Sequence, residues 1–219
     1  MRLMRKVINL AKATHFGPLM LVVGISFVLA YSQVSWAKSI LISLAILCGQ
    51  CVVGWTNELV DLPLDSGARR LKKPLVNGSV TTTDLRIGIV VALTLATLLS
   101  FLGPLGPKGG ALHMLGIASA TLYNLKLKPT WFSPLPYAFS FGALPWAIYA
   151  AAHKSPPTWL YIQFAFVAVA FHFLNVIKDL EWDMKQGVLG MPQRVGKLGS
   201  IAIAGVLVVT SNIFLVIRR

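Results

Sequence analysis

Acidic residues are scarce in this chain of 219 residues, which contains only seven Asp and Glu against 20 Lys and Arg. Charged residues of both signs make up 12% of the chain, whereas a typical soluble protein has about 25%. Hydrophobic residues make up 56%, and the mean hydropathy is +0.71. A soluble enzyme of this size could not cover so much apolar surface with so few charges, and a disordered chain would be far less hydrophobic. These shortages predict a multi-pass membrane protein.

Cysteine is also scarce, which excludes a disulfide framework. The two cysteines, Cys48 and Cys51, form a C-x-x-C pair inside a hydrophobic run rather than in a redox or zinc-binding context. We interpret them as small side chains that pack within a helix.

Hydrophobic segments long enough to approach the roughly 20 residues of a spanning helix recur along the chain. They predict an all-α bundle of about seven transmembrane helices, near residues 16–36, 39–56, 85–103, 109–124, 133–152, 158–178 and 200–217. A signal peptide at the N-terminus is a weaker alternative, because the first apolar run exceeds the usual 7–15 residues.

The distribution of Lys and Arg predicts the orientation of these helices. If the N-terminus is cytoplasmic, 15 basic residues lie inside and five lie outside, at Lys38, Lys108, Lys154, Arg218 and Arg219. We therefore expect an integral protein of the cytoplasmic membrane that attracts anionic lipid. No soluble basic domain is present to bind nucleic acid.

Six of the seven acidic residues fall into two clusters, and only Asp84 lies apart. In the first, Asn57, Asp61 and Asp65 recur at every fourth residue, so they share one face of a helix end. Pro63 argues against a regular helix there and predicts an unwound turn at the last Asp.

The second cluster repeats the spacing of the first with an offset of 118 residues, at Asn175, Asp179 and Asp183. His172 extends this second face by one turn. The pattern N-x3-D-x3-D-x8-P-x3-G occurs in both clusters and predicts an internal duplication with two pseudo-repeats. Because four predicted helices separate the copies, both clusters open on the same, cytoplasmic side.

Paired carboxylates next to basic residues favour a metal and phosphate site. Mg²⁺ usually binds through one or two carboxylates together with substrate phosphates, and ionisable residues at membrane depth are functional candidates. Basic donors for a diphosphate follow the first cluster, lie between the clusters or adjoin the second: Arg69, Arg70, Lys73, Lys126, Lys128 and Lys178. For any one of these residues, topology alone is an alternative explanation.

The two motifs resemble the paired N-D-x-x-D-x-x-x-D and D-x-x-x-D signatures of UbiA-type intramembrane prenyltransferases. The run from Arg70 through Lys73-Pro74 to Gly78 resembles the R…R-P…G that follows the first motif, and Tyr123 with Lys126 and Lys128 resembles the Tyr…Lys segment of the middle loop. The resemblance covers about residues 15 to 217 and implies one prenyltransferase-like domain over residues 1–219.

The resemblance implies Mg²⁺-dependent transfer of an isoprenyl group from a prenyl diphosphate to a small acceptor within the membrane. By match, the metal and diphosphate are held by Asp61, Asp65, Asp179 and Asp183, with Asn57 near the metal or the acceptor. We place Asn57, Asn175 and His172 at the acceptor, and aromatic side chains among the helices beside the prenyl tail: Tyr137, Phe139, Phe141, Trp146 and Tyr149.

This chain departs from the family pattern in three respects. Glu58 stands where the second Asp is usual, Lys73 stands where Arg is usual, and about seven helices are predicted where the family has nine. We therefore expect a shortened or C-terminally incomplete member. A non-catalytic carrier for a cation or a lipid diphosphate is the alternative function. A CDP-alcohol phosphotransferase fits poorly, because its acidic signature is contiguous.

Overall fold

The computed structural model describes residues 2–217, with side chains for residues 4–213. Within residues 2–217 the chain is helical and contains no β-strand. The α-helices, numbered in chain order, are α1 Arg2–Lys12, α2 Phe16–Tyr31, α3 Trp36–Gly67, α4 Thr82–Phe101, α5 Gly106–Leu122, α6 Leu135–Ala150, α7 Thr158–Val176, α8 Leu180–Lys185 and α9 Met191–Ile217. A π-helical turn, Tyr123–Leu127, follows α5, and a 3₁₀ turn, Ile177–Asp179, joins α7 to α8.

Each of the seven predicted spans has a helix in the structure. Four helical stretches are long and apolar enough to cross a membrane: Trp36–Gly67, Thr82–Phe101, Thr158–Lys185 and Met191–Ile213. The helices α2, α5 and α6 have 16 or 17 residues, which is about 24–26 Å at 1.5 Å per residue and shorter than a 30 Å hydrocarbon core. The all-helical fold is confirmed, and the number of seven spans stays a prediction.

The first acidic motif lies on a continuous helix, so the predicted unwound turn at Asp65 is wrong. The helix α3 runs for 32 residues, passes through Pro63 and ends at Gly67. Proline removes one backbone hydrogen bond and crowds the preceding turn. Pro63 lies close to the end of α3, where only a few further residues depend on that geometry.

The helices pack so that the two motif-bearing segments approach each other. The helix α3 packs against α2, α4 and α5, whereas α7 packs against α6 and α9. A core between α2, α3 and α6 includes Ala30, Ile42, Ile46 and Ile148, which are at most 2% exposed. At the other end of α3, Gly54 lies against the backbone of Thr14, where a Cβ atom would stand 2.7 Å from the carbonyl oxygen. This close approach places the loop between α1 and α2 beside the first acidic motif.

The short helix α1 was not predicted from the sequence. It is bent by 81° from α2 and is held to the bundle by an ion pair between Lys6 and Asp84, 2.6 Å from Nζ to Oδ1. Asp84 also forms a reciprocal capping box with Thr81 at the start of α4. The acidic residue outside the two clusters therefore has a structural role, and its T-x-x-D pattern before an apolar run was the available sequence signal.

The backbone supports the internal duplication at positions 118 residues apart. Gly78 and Gly196, the last residues of the repeated pattern, have φ angles of 75° and 73°. Arg69 and Gly187 are a second pair with this offset, with φ angles of 50° and 76°. Positive φ angles are uncommon outside glycine, so their recurrence at two pairs of equivalent positions supports the duplication. At Gly196, where ψ is −179°, the backbone breaks the helical geometry within α9.

Candidate active site

The two acidic motifs meet at one end of the bundle and are joined there by Arg70. Its Nη2 donates a 2.8 Å hydrogen bond to Oδ1 of Asp179, and its Nη1 lies 3.4 Å from Oδ1 of Asp65. Asp65 is on α3 and Asp179 is on the turn between α7 and α8, so one guanidinium bridges the two copies of the motif. The predicted association of the motifs is present in the structure.

Lys73 bridges two buried carboxylates on α3. Its Nζ lies 2.5 Å from Oδ2 of Asp65 and 3.0 Å from Oε2 of Glu58. The side chain of Glu58 is 2% exposed and that of Lys73 is 19% exposed. Burial by itself lowers the pKa of Lys73, but hydrogen bonds and charge interactions with Asp65 and Glu58 outweigh it and raise this pKa above its ordinary value. Lys73 is therefore a cation held between two acids.

Asp61 is contacted from two directions. Lys128 donates to both of its carboxylate oxygens, at 2.6 and 2.8 Å, and the amide nitrogen of Asn57 lies 3.1 Å from Oδ2. The same amide nitrogen lies 3.1 Å from Nε2 of His15. Because the nitrogen of Asn57 serves both neighbours, its oxygen is the atom left to bind a cation.

The π-helical turn positions Lys128 over Asp61. Within this turn Asn124 is buried and donates a 2.9 Å hydrogen bond to the carbonyl oxygen of Val53 on α3. This hydrogen bond fixes the loop that precedes Lys128 against the helix that carries Asp61. Isolated π-turns of this kind are rare and are often found at functional sites.

Asp183 is contacted by an amide rather than by a cation. Nε2 of Gln193 donates a 2.8 Å hydrogen bond to Oδ2 of Asp183. The sequence analysis missed Gln193 and His15. Gln193 directly follows Pro192 of the repeated pattern, which was an available signal, whereas no sequence pattern links His15 to Asn57.

Other predicted site residues are not drawn into this cluster. Arg69, Lys126, Lys178 and Asn175 are exposed, and among the described residues none of them forms a hydrogen bond or an ion pair through its side chain. Arg69 takes the left-handed conformation, which turns the chain at the end of α3. Their roles at diphosphate or acceptor stay predictions.

His172 is buried in an aromatic cluster beneath the acidic residues. It is 1% exposed, stacks on Tyr137 with 4.5 Å between ring centroids and meets Tyr123 edge to face at 5.5 Å. Its Nε2 lies 3.2 Å from the hydroxyl of Ser133, while Nδ1 is buried without a hydrogen-bond partner. Only Nδ1 remains for the predicted contact with an acceptor. Tyr137 is thereby placed beside His172, and its role next to the prenyl tail stays a prediction.

The donor set of the cluster fits Mg²⁺ in chemistry. Within the described residues, no group of three or more His, Cys, Asp and Glu side chains stands close enough to hold a metal ion. Mg²⁺ does not require such a group, because it usually takes one or two carboxylates and completes its shell with water and substrate phosphates. The carboxylates of the two motifs and the amide oxygen of Asn57 supply oxygen ligands alone.

Paired acidic motifs at one end of an apolar helix bundle define an integral membrane protein with a mixed-charge site. Residues 19–218 match the model of the UbiA prenyltransferase family, so the chain belongs to that family. The resemblance expected from the two motifs is confirmed.

Two kinds of relative agree with this assignment. The bacteriochlorophyll synthase 33 kDa chain of Cereibacter sphaeroides is 28% identical over 184 residues, which cover 75% of this chain and 58% of that protein. A UbiA homolog from Archaeoglobus fulgidus bound to Cd²⁺ has a TM-score of 0.79 at 14% identity and covers 96% of this chain and 79% of its own. The same organism's UbiA homolog bound to GPP and Mg²⁺ has a TM-score of 0.75 at 14% identity, with coverage of 95% and 86%. The chain thus spans a little over half of the curated relative that it matches.

Proposed function

We propose that this chain transfers an isoprenyl group from a prenyl diphosphate to a small acceptor within the membrane, with Mg²⁺ as its cofactor. The observation that carries the proposal is the bridge formed by Arg70 between Asp65 and Asp179. It brings the two halves of a family signature into one site. The UbiA homolog bound to GPP and Mg²⁺ supports the ligand class, since that protein shares this fold.

The charges of the site suit a metal–diphosphate complex. Four acids, Glu58, Asp61, Asp65 and Asp179, pair with three cations, Arg70, Lys73 and Lys128, and Asp183 accepts a hydrogen bond from Gln193. Removing the cation from a buried carboxylate is costly. A divalent ion on the aspartates would replace these cations and leave the same side chains as donors to diphosphate oxygens.

The residues of this chain then act by binding and by stabilising charge. Bound Mg²⁺ would neutralise part of the diphosphate charge and so make it a better leaving group. Arg70, Lys73 and Lys128 would donate hydrogen bonds to the diphosphate as the allylic carbon–oxygen bond breaks and its electron pair goes to the departing oxygen. Tyr137, which packs against Tyr123 and His172 beneath the acidic residues, would face the allylic cation. The acceptor forms the new bond to that carbon and gives up a proton.

The expected orientation of the site in the membrane follows from the distribution of Lys and Arg along the chain. The basic-residue count predicts that the acidic cluster faces the cytoplasm, where prenyl diphosphates and Mg²⁺ are available. The acceptor is to be identified by a screen of hydroxybenzoates, naphthoates, homogentisate, glycerol phosphates and sugar phosphates.

The test uses the purified full chain in lipid nanodiscs with Mg²⁺ and labelled geranyl diphosphate, in the presence of each acceptor class. We expect diphosphate release that Asp61→Asn and Asp179→Asn abolish. Glu181→Gln is the matched control, since Glu181 is exposed, lies between Asp179 and Asp183 and forms no ion pair within the described part of the chain. Normal turnover by both aspartate variants would contradict the metal assignment. Tight binding of geranyl diphosphate without turnover for any acceptor would favour the carrier function.

A further inference from the structure

The helix α1 presents three different faces, and two of them point away from the protein. Met4, Val7 and Ile8 share one face and are 64%, 57% and 47% exposed. Arg5 and Lys12 lie on the next face and are also exposed. An apolar face beside a basic face on one short helix is typical of helices that lie in a membrane interface.

The third face of α1 fixes its direction relative to the bundle. Leu10 packs against the buried cluster of Ala13, Leu75, Val80 and Leu85, and its carbonyl oxygen accepts a 2.9 Å hydrogen bond from Nε1 of Trp55. The ion pair between Lys6 and Asp84 lies on the same side. These contacts hold α1 alongside the bundle instead of letting it extend from α2.

The bend between α1 and α2 turns the two helix axes by 81° from each other. With α2 crossing the membrane, as the sequence predicts, this angle would set α1 close to the membrane plane. In that position the protein-facing side is lateral, the face of Met4, Val7 and Ile8 points towards lipid tails, and the face of Arg5 and Lys12 points towards headgroups and water. The three faces therefore match the three surroundings of an interfacial helix.

We propose that α1 is an interfacial helix that binds the anionic phospholipid leaflet on the side of the acidic cluster. The occupant is argued from charge, because α1 carries Arg2, Arg5, Lys6 and Lys12 and no acidic residue. Only Lys6 among the described side chains of α1 is neutralised by the protein. A cation near an anionic leaflet strengthens binding about fivefold. This inference does not depend on catalysis.

The same helix leads directly into the candidate active site. Three residues after the end of α1, His15 takes a left-handed conformation with φ of 56°, and its Nε2 lies 3.1 Å from the amide nitrogen of Asn57. Attachment of α1 to the leaflet thus fixes the chain just before a residue that contacts the first motif.

Single-cysteine variants of the full chain test the proposal in vesicles. With Cys48 and Cys51 changed to Ala, a bimane label is placed on Val7→Cys or on Arg5→Cys. Quenching by acrylamide from water is compared with quenching by doxyl lipid from the bilayer. We expect the label at residue 7 to be quenched by lipid and shielded from acrylamide, and the label at residue 5 to behave in the opposite way.

The charge dependence is tested in vesicles of phosphatidylcholine with and without phosphatidylglycerol. We expect phosphatidylglycerol to increase the shielding of the label at residue 7, and Arg5→Gln with Lys12→Gln to remove this increase, a loss of up to roughly 25-fold in attachment. The matched control is Lys38→Gln with Lys154→Gln, which removes two exposed cations outside α1. A label at residue 7 that stays open to water in both vesicles would overturn the proposal. Equal shielding in both vesicles, or equal behaviour of the two double variants, would also overturn it.

Discussion

Replacing Lys73 by Met tests whether the acidic cluster depends on its own cations. The change keeps most of the apolar stem of the side chain and removes the ammonium that Glu58 and Asp65 share at 3.0 and 2.5 Å. Breaking a buried ion pair costs about 3–5 kcal/mol, since an unpaired charge remains. Because the Lys73 side chain is 19% exposed, we expect a loss near the lower end, about 3 kcal/mol.

Mg²⁺ should restore part of this stability. A free ligand at 100 times its dissociation constant stabilises the folded state by about 2.7 kcal/mol. In the native chain, part of this stabilisation by Mg²⁺ is offset by the cost of displacing Lys73 from Asp65. In Lys73→Met the carboxylate of Asp65 keeps only its 3.4 Å contact with Arg70, so Mg²⁺ has one cation fewer to displace and should stabilise the variant more than the native chain.

The free energy of unfolding is measured by titration with sodium dodecyl sulfate in mixed micelles, followed by tryptophan fluorescence with Mg²⁺ or with EDTA. Lys72→Met is the control, since Lys72 is exposed and forms no ion pair with the side chains of residues 4–213. Adding Glu58→Gln to Lys73→Met should recover part of the loss, because it removes the buried charge that Lys73 paired. If Lys73→Met lowers the free energy of unfolding by an amount within about 0.5 kcal/mol of the change in Lys72→Met, the reasoning is refuted.

Three further changes probe the turn, the helix start and the contact with the first motif. Arg69→Gly should stabilise the chain by about 1 kcal/mol, because glycine adopts the left-handed backbone without strain. Gly187→Ala should destabilise the chain by a similar amount. A weaker affinity of Arg69→Gly for geranyl diphosphate would support the predicted diphosphate role of Arg69. Asp84→Ala should cost about 1 kcal/mol or more in the same unfolding assay, through loss of both the capping box and the ion pair with Lys6. Thr83→Ala, beside it but outside the box, should cost much less. His15→Ala should raise the Mg²⁺ concentration needed for half-maximal diphosphate release, since Asn57 loses one of its two positioning contacts; an unchanged value would remove His15 from the site.

The helical architecture could be predicted because it depends on long apolar runs. The boundaries of α4 and α7 lie within about three residues of the predicted ones. The helix α1 could not be predicted in this way, because half of its residues are polar and its place depends on contacts with Trp55 and Asp84, far along the chain. The extension of α3 through Pro63 was missed for a related reason, since the neighbouring packing outweighs one lost hydrogen bond.

The acids of the site could be predicted, but their partners could be predicted only in part. A spacing of four residues places carboxylates on one helical face whatever the tertiary structure. Which cation reaches them depends on loop backbone: Lys128 reaches Asp61, while Lys126, two residues earlier on the same turn, points elsewhere and stays exposed. No local pattern distinguishes these two lysines.

The duplication explains why the two motifs are not equivalent in the site. Both copies share the spacing of their acids and the left-handed turn positions. The first copy carries Arg70 and Lys73, whereas the residues 118 positions later are Val188 and Met191. The second copy therefore has no cation of its own at these positions, and Asp179 takes its partner, Arg70, from the first copy. On the proposed function, the first copy would therefore supply Arg70 and Lys73 to the diphosphate for both motifs, and the bridge between the copies is what brings Asp179 to a cation.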